Sequence, residues 1–145
     1  MKKTSIRLVL ALGLFATTIG ACKKDKDGNG VEITKENLVG TYKLTKAKYT
    51  MPIVGEMDYL ALMDDCEKDD TYTLKADFSA TKNDVGTKCN PVGNASITWT
   101  LAEQTIMVDT YGGKIKSFDG TTLTIEGSES QQGMTVSYSI VFVKQ

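Results

Sequence analysis

The chain has 145 residues, with 17 Lys and Arg against 18 Asp and Glu, no histidine and a formal net charge of −1. That length suits one ordinary domain, and interspersed charges of near-equal number exclude a nucleic-acid binder that works through a basic stripe. The missing histidine removes the commonest general base, the Ser-His and Cys-His pairs and most transition-metal sites.

The chain opens with a positive segment, Lys2, Lys3 and Arg7, and an apolar run from Leu8 to Ile19 that is too short to span a bilayer. Small residues and a cysteine follow, Ile19-Gly20-Ala21-Cys22. This is the pattern of a secretory signal, and its last four residues resemble the lipobox of bacterial lipoproteins. The resemblance implies cleavage before Cys22, a diacylglycerol on the Cys22 thiol and an acyl chain such as palmitate on its amine. The expected location is then the bacterial cell envelope, on the periplasmic or surface face of the outer membrane, with the membrane as a partner through the lipid. An ordinary signal peptide cut near Gly20 would instead leave Cys22 as a free thiol, a liability in an oxidising compartment. Residues 1–21 therefore read as a lipoprotein signal peptide, 22–33 as a lipidated tether and 34–145 as the folded domain. The leader holds three of the basic residues and none of the acidic ones, so the remainder carries 14 against 18, a net charge of −4.

With Cys22 lipidated, Cys66 and Cys89 remain, and export predicts that they pair. Closing that loop would contribute about 3.4 kcal/mol by chain entropy. Two separate buried thiols are the alternative. The absence of a Cys-x-x-Cys spacing argues against redox chemistry.

Residues 23–30 are charged and contain glycine, which suits a flexible linker. The lysine-plus-acid tract after Cys22 also loosely resembles a surface-export signal of some lipoproteins. Thr34 can cap a short helical turn. From Leu38 the apolar period becomes two, which predicts a strand to Lys48 with Tyr42 and Leu44 on one face. Further strands are expected over 71–76 (Tyr72, Leu74), 80–85, 95–101 (Ile97, Trp99, Leu101), 105–109, 114–118 and 121–126, and from Met134 almost to the C-terminus through Tyr138. Turns fall at Asp77-Phe78-Ser79, at 102–104 and at Asp119-Gly120. Residues 49–70 break the rhythm. Glu56 to Asp65 can form a short helix with Met57, Leu60 and Met63 on one face, plugging one mouth of the fold or covering it as a lid.

Eight short antiparallel strands with one apolar face must close or stack. Closure gives an all-β, eight-stranded up-and-down barrel with a short helix or loop over one end; a two-sheet sandwich is the competing geometry. The order of features resembles the lipocalin-like domain of small bacterial lipoproteins. Leu38-Val39-Gly40-Thr41-Tyr42 matches its Leu-x-Gly-Thr-Trp opening, with Tyr for Trp. Cys66 before the acidic residues and Tyr72, Cys89 before the Trp99 strand, and paired strands about Asp119-Gly120 complete the match over about residues 34–144. The resemblance implies the barrel, and by analogy a small hydrophobic ligand.

The residues point to no catalytic group, metal site or cofactor. No glycine-rich phosphate loop has nucleotide-binding spacing. The acidic run Asp64, Asp65, Glu67, Asp69 and Asp70 lacks the ligand spacing and central glycine of a calcium loop and reads as a solvated segment. Asn94-Ala95-Ser96 matches a glycosylation sequon that a bacterial leader makes accidental. The candidate ligand-lining residues are Tyr42, Leu44, Tyr72, Leu74, Trp99 and Tyr138, which would otherwise be core. A non-enzymatic, membrane-anchored protein that holds a small apolar ligand in or near the barrel is the expected function. A structural or interaction lipoprotein with a filled barrel, contacting an envelope protein or polysaccharide, is the alternative.

Overall fold

A computed structural model describes residues 30–131 and 133–145. The signal peptide, Cys22 and the tether as far as residue 29 lie outside the described residues. After the one-turn helix α1 (Lys35–Leu38) come β1 (Gly40–Met51) and β2 (Gly55–Asp58). Two further one-turn helices follow, α2 (Tyr59–Leu62) and α3 (Asp65–Lys68). Next are β3 (Thr71–Leu74), β4 (Ser79–Asn83), β5 (Ala95–Ala102), β6 (Thr105–Val108), β7 (Tyr111–Phe118), β8 (Thr122–Gln131) and β9 (Met134–Lys144). Every pairing is antiparallel between chain neighbours, apart from β1 with β3 and β1 with β9; the latter closes eight strands into a barrel. The fold is thus the expected eight-stranded up-and-down barrel rather than a sandwich. The ninth strand, β2, pairs with the far end of β1 beyond the reach of β3.

Two bulges decide which residues face inward. In β1, strict alternation from Tyr42 and Leu44 would bury Lys46 and Lys48. The register shifts between Leu44 and Lys46, so Ala47 is buried next and both lysines are spared. In β7 the shift between Ile115 and Ser117 brings Phe118 inward instead of Ser117. Inside the barrel Tyr72, Tyr111 and Phe142 pack edge-on, with ring centroids 5.7–5.9 Å apart. The middle of the barrel is therefore filled by rings.

One end is sealed. Thr34 caps α1 by accepting the Asn37 N–H, which seats Leu38 fully buried over the barrel. The Tyr42 hydroxyl donates to the Leu38 carbonyl at 2.9 Å and the Trp99 indole N–H to the Lys75 carbonyl at 2.8 Å. Both aromatic side chains are 1 % exposed, and burial pushes the Tyr42 hydroxyl up to about 12. The chain enters at this end, where the Val31 N–H donates to the Phe118 carbonyl.

The expected helix over Glu56–Asp65 is not continuous. Gly55–Asp58 pairs with β1 instead, Asp58 caps α2 by accepting the Ala61 N–H, and the extended Met63 ends it before α3 begins. Met57 consequently lies on a strand, while Leu60 and Met63 pack against the core. The first strand begins at Gly40 rather than Leu38, because Leu38 belongs to the capped turn.

Candidate functional site

The strands around the barrel differ in length. β1, β8 and β9 have 12, 10 and 11 residues, whereas β3, β4 and β6 have 4 or 5. The long strands overrun the barrel at the end opposite α1, and β2 extends the overhang by pairing with β1. Register sets one row of facing residues across all four strands: Met57 on β2 opposite Tyr49 on β1, Tyr49 opposite Tyr138 on β9, and Tyr138 opposite Gly127 on β8. In the next row outward Glu129 faces Val136 and Met51 faces Gly55.

This concave inner face, with Tyr59 of α2, forms a cleft of about 320 Å³ lined by Tyr49, Met51, Met57, Tyr59, Glu129, Val136 and Tyr138. That volume lies within the roughly 300–1,000 Å³ of small-molecule sites. A smaller pocket of about 100 Å³ shares Tyr49, Glu129 and Tyr138 with it and reaches Met107, Gly112 and the buried Ile140. Tyr49 meets Tyr59 edge-on at 5.4 Å and packs tilted against Tyr138 at 5.9 Å. Gly127 makes room for Tyr138, since a β-carbon there would collide with the Tyr138 ring and hydroxyl. Burial first, and then the charge of Glu129, holds the Tyr138 hydroxyl above its ordinary value. The Tyr49 hydroxyl is raised by burial and then by its tyrosine neighbours and Glu129.

Beneath the overhang the polar groups are structural. Asp70, 1 % exposed, lies 3.0 Å from the Lys82 ammonium. Burial pulls Lys82 down, but the bond and charge of Asp70, with Glu67 and Tyr111, outweigh it and the net shift is upward. Buried Asp84 accepts the Cys89 and Gly93 N–H groups and so shapes the loop between β4 and β5. Asp69 accepts the Thr87 N–H at 2.8 Å. Cys66 and Cys89 are joined in a disulfide with Cα atoms 5.1 Å apart, tying α3 to that loop. Among the described residues no three His, Cys, Asp or Glu side chains lie close enough together to hold a metal.

Of the residues expected to line a ligand site, Tyr138 lines the cleft. Tyr42, Leu44, Tyr72, Leu74 and Trp99 sit in the packed core. The cleft also gathers Tyr49, Met51, Met57, Tyr59 and Glu129, none of which the sequence pattern marks as a ligand residue. Tyr49 lies past Lys48, where the strand is expected to end, whereas β1 continues to Met51 and its bulge turns Tyr49 inward. Met57 falls within the expected helix, and Glu129 lies past the point where the apolar alternation of β8 ends.

A family model described as a lipocalin-like domain matches residues 38–138. No curated protein and no solved structure matches the chain.

Proposed function

The chain belongs to the lipocalin-like domain family, and from that premise we propose that it is a non-enzymatic binding protein whose ligand is a small apolar molecule held in the cleft at the open end of the barrel. The observation that carries this reading is the cleft itself, about 320 Å³ walled by two methionines, a valine and three tyrosines. Covering such a surface with a ligand stabilises the complex by about 25 cal/mol per Å² before ordering costs. Methionine side chains adapt to ligands of varied outline. The rings packed inside the barrel support a ligand seat near its mouth rather than deep inside.

The same proposal makes the full chain a lipoprotein of the bacterial outer membrane, anchored through Cys22. Its support is the Ile19-Gly20-Ala21-Cys22 sequence. Val31 bonds to Phe118 at the sealed end, so a domain tethered from Cys22 can keep its open end clear of the membrane. Cys22→Ala is expected to move the protein out of the detergent phase or leave an uncleaved precursor; unchanged partitioning contradicts lipidation.

Ligand binding is tested on the full chain in phosphatidylcholine nanodiscs, with empty discs as the blank. The neutral apolar dye N-phenyl-1-naphthylamine is expected to give a saturable, protein-dependent rise in emission that Tyr138→Ala weakens. No saturable increment contradicts the reading. The interaction alternative draws on one feature, a groove of about 460 Å³ on the outer face of the overhang, whose lining includes Lys48, Thr50, Glu56, Glu126, Ser137 and Ser139. Its hydroxyls and charges suit a polysaccharide, and retention on immobilised glycan that Ser137→Ala weakens would favour it.

A further inference from the structure

We propose that the open-end cleft selects an apolar cation, an alkylammonium or quaternary ammonium group on a hydrocarbon body, with Glu129 as counter-ion and the tyrosine rings as the wall around the charge. The inference rests on the cleft reading above and names the class of ligand. Glu129 is the one charged side chain among the lining residues, and the rest are Tyr49, Tyr59, Tyr138, Met51, Met57 and Val136. Glu129 forms no ion pair among the described residues, so its charge is available to a ligand.

Placement supports a two-part ligand. Glu129 stands opposite Val136, one register row beyond the row of Tyr138 and Gly127, a step of about 7 Å along the strands. A cationic head at the Glu129 level can therefore lay its body against Tyr49, Tyr138 and Met57 in the row beneath. The carboxylate attracts such a head directly, and the negative faces of tyrosine rings attract it again. An anionic head meets repulsion from both, and a neutral one gains apolar burial alone. That Glu129 contributes to raising the Tyr49 and Tyr138 hydroxyls shows its field reaching the rings.

The test compares three probes with the same tail, octyltrimethylammonium, 1-octanol and octanoate, on the full chain in phosphatidylcholine nanodiscs at neutral pH. Affinity is read from the methyl NMR signals of Met51 and Met57, which report from inside the cleft. The cation is expected to bind about tenfold tighter than octanol, with octanoate weakest and the preference shrinking at high salt. Glu129→Gln should bring the cation to within about twofold of octanol measured on the same variant, and Glu129→Lys should favour octanoate. Glu129 is exposed on the overhang, so thermal melting should confirm that both variants fold. Equal binding of all three probes overturns the cationic inference and leaves the apolar cleft standing. A cation preference that survives both variants overturns the role of Glu129. No saturable shift with any probe overturns the cleft reading itself, and the inference with it.

Discussion

At the sealed end, Leu38, Tyr42 and Trp99 are buried, and the polar atoms of Tyr42 and Trp99 find carbonyl partners. At the open end, Tyr49, Met57 and Tyr138 stay half-buried, and Ile53, Val54 and Leu62 are exposed, Ile53 at 83 %. Both ends use the same alternation of apolar residues, so composition does not separate them. Strand length does. Where neighbouring strands stop together and a capped helix covers the rim, the inner face becomes core. Where β1, β8 and β9 run past β3, β4 and β6, the same inner face becomes an uncovered wall.

Truncation should expose the contrast most sharply. Trp99→Ala is expected to cost about 3–5 kcal/mol, as for a fully buried ring. Tyr138→Ala, half-buried, should cost about 1–2 kcal/mol yet weaken dye binding more than Trp99→Ala does. Urea denaturation of both variants beside the dye titration checks this; equal stability losses would erase the difference between the ends.

Breaking the Cys66–Cys89 bridge should have the next largest effect. Replacing both cysteines with alanine is expected to cost about 3 kcal/mol, while dye affinity stays near its original value, because neither cysteine lines the cleft. A loss of binding in the folded double variant would mean that α3 and its loop shape the site. Gly127→Ala sharpens the comparison from the other side. The added methyl displaces the Tyr138 ring and should cost about 1–3 kcal/mol, with a larger proportional loss of dye binding than of stability.

The smallest effect belongs to the sealed end and appears in alkali. Burial raises the Tyr42 hydroxyl from 10.0 to about 12. Between those values the unfolded chain holds fewer protons than the folded one, so stability falls as pH rises. Below pH 10 this contribution is fully present. The hydroxyls of buried Tyr72 and half-buried Tyr111 are raised as well and add to the same loss. Tyr42→Phe should lower stability at neutral pH by about 1 kcal/mol through the lost bond to Leu38 and should flatten the decline above pH 10. Melting temperatures across pH 8–12 measure both.

Much of this architecture is legible in the residues. Period-two runs around Tyr72, Trp99 and Tyr138 locate their strands, and Asp119-Gly120 locates a hairpin. The expectation that Cys66 and Cys89 pair is met by the bridge between them. The cleft is less legible, for three physical reasons. β1 runs past the expected end at Lys48 to Met51, and its bulge turns Tyr49 and Met51 inward, so both lie outside the alternation read from Leu38. β2 has no alternation of its own and exists because the end of β1 offers it an unpaired edge. Tyr42, Leu44, Tyr72, Leu74 and Trp99 share the inward face with Tyr138, and their depth depends on which strands stop first, a length comparison across the sheet that no single segment encodes.

Hydrogen–deuterium exchange on the full chain in nanodiscs, with and without a saturating neutral probe such as 1-octanol, tests the asymmetry of the barrel most directly. The account predicts added protection confined to residues 49–59 and 127–138, with 34–42, 75–80 and 97–101 unchanged. Protection centred on the sealed end, or spread evenly around the barrel, would contradict it.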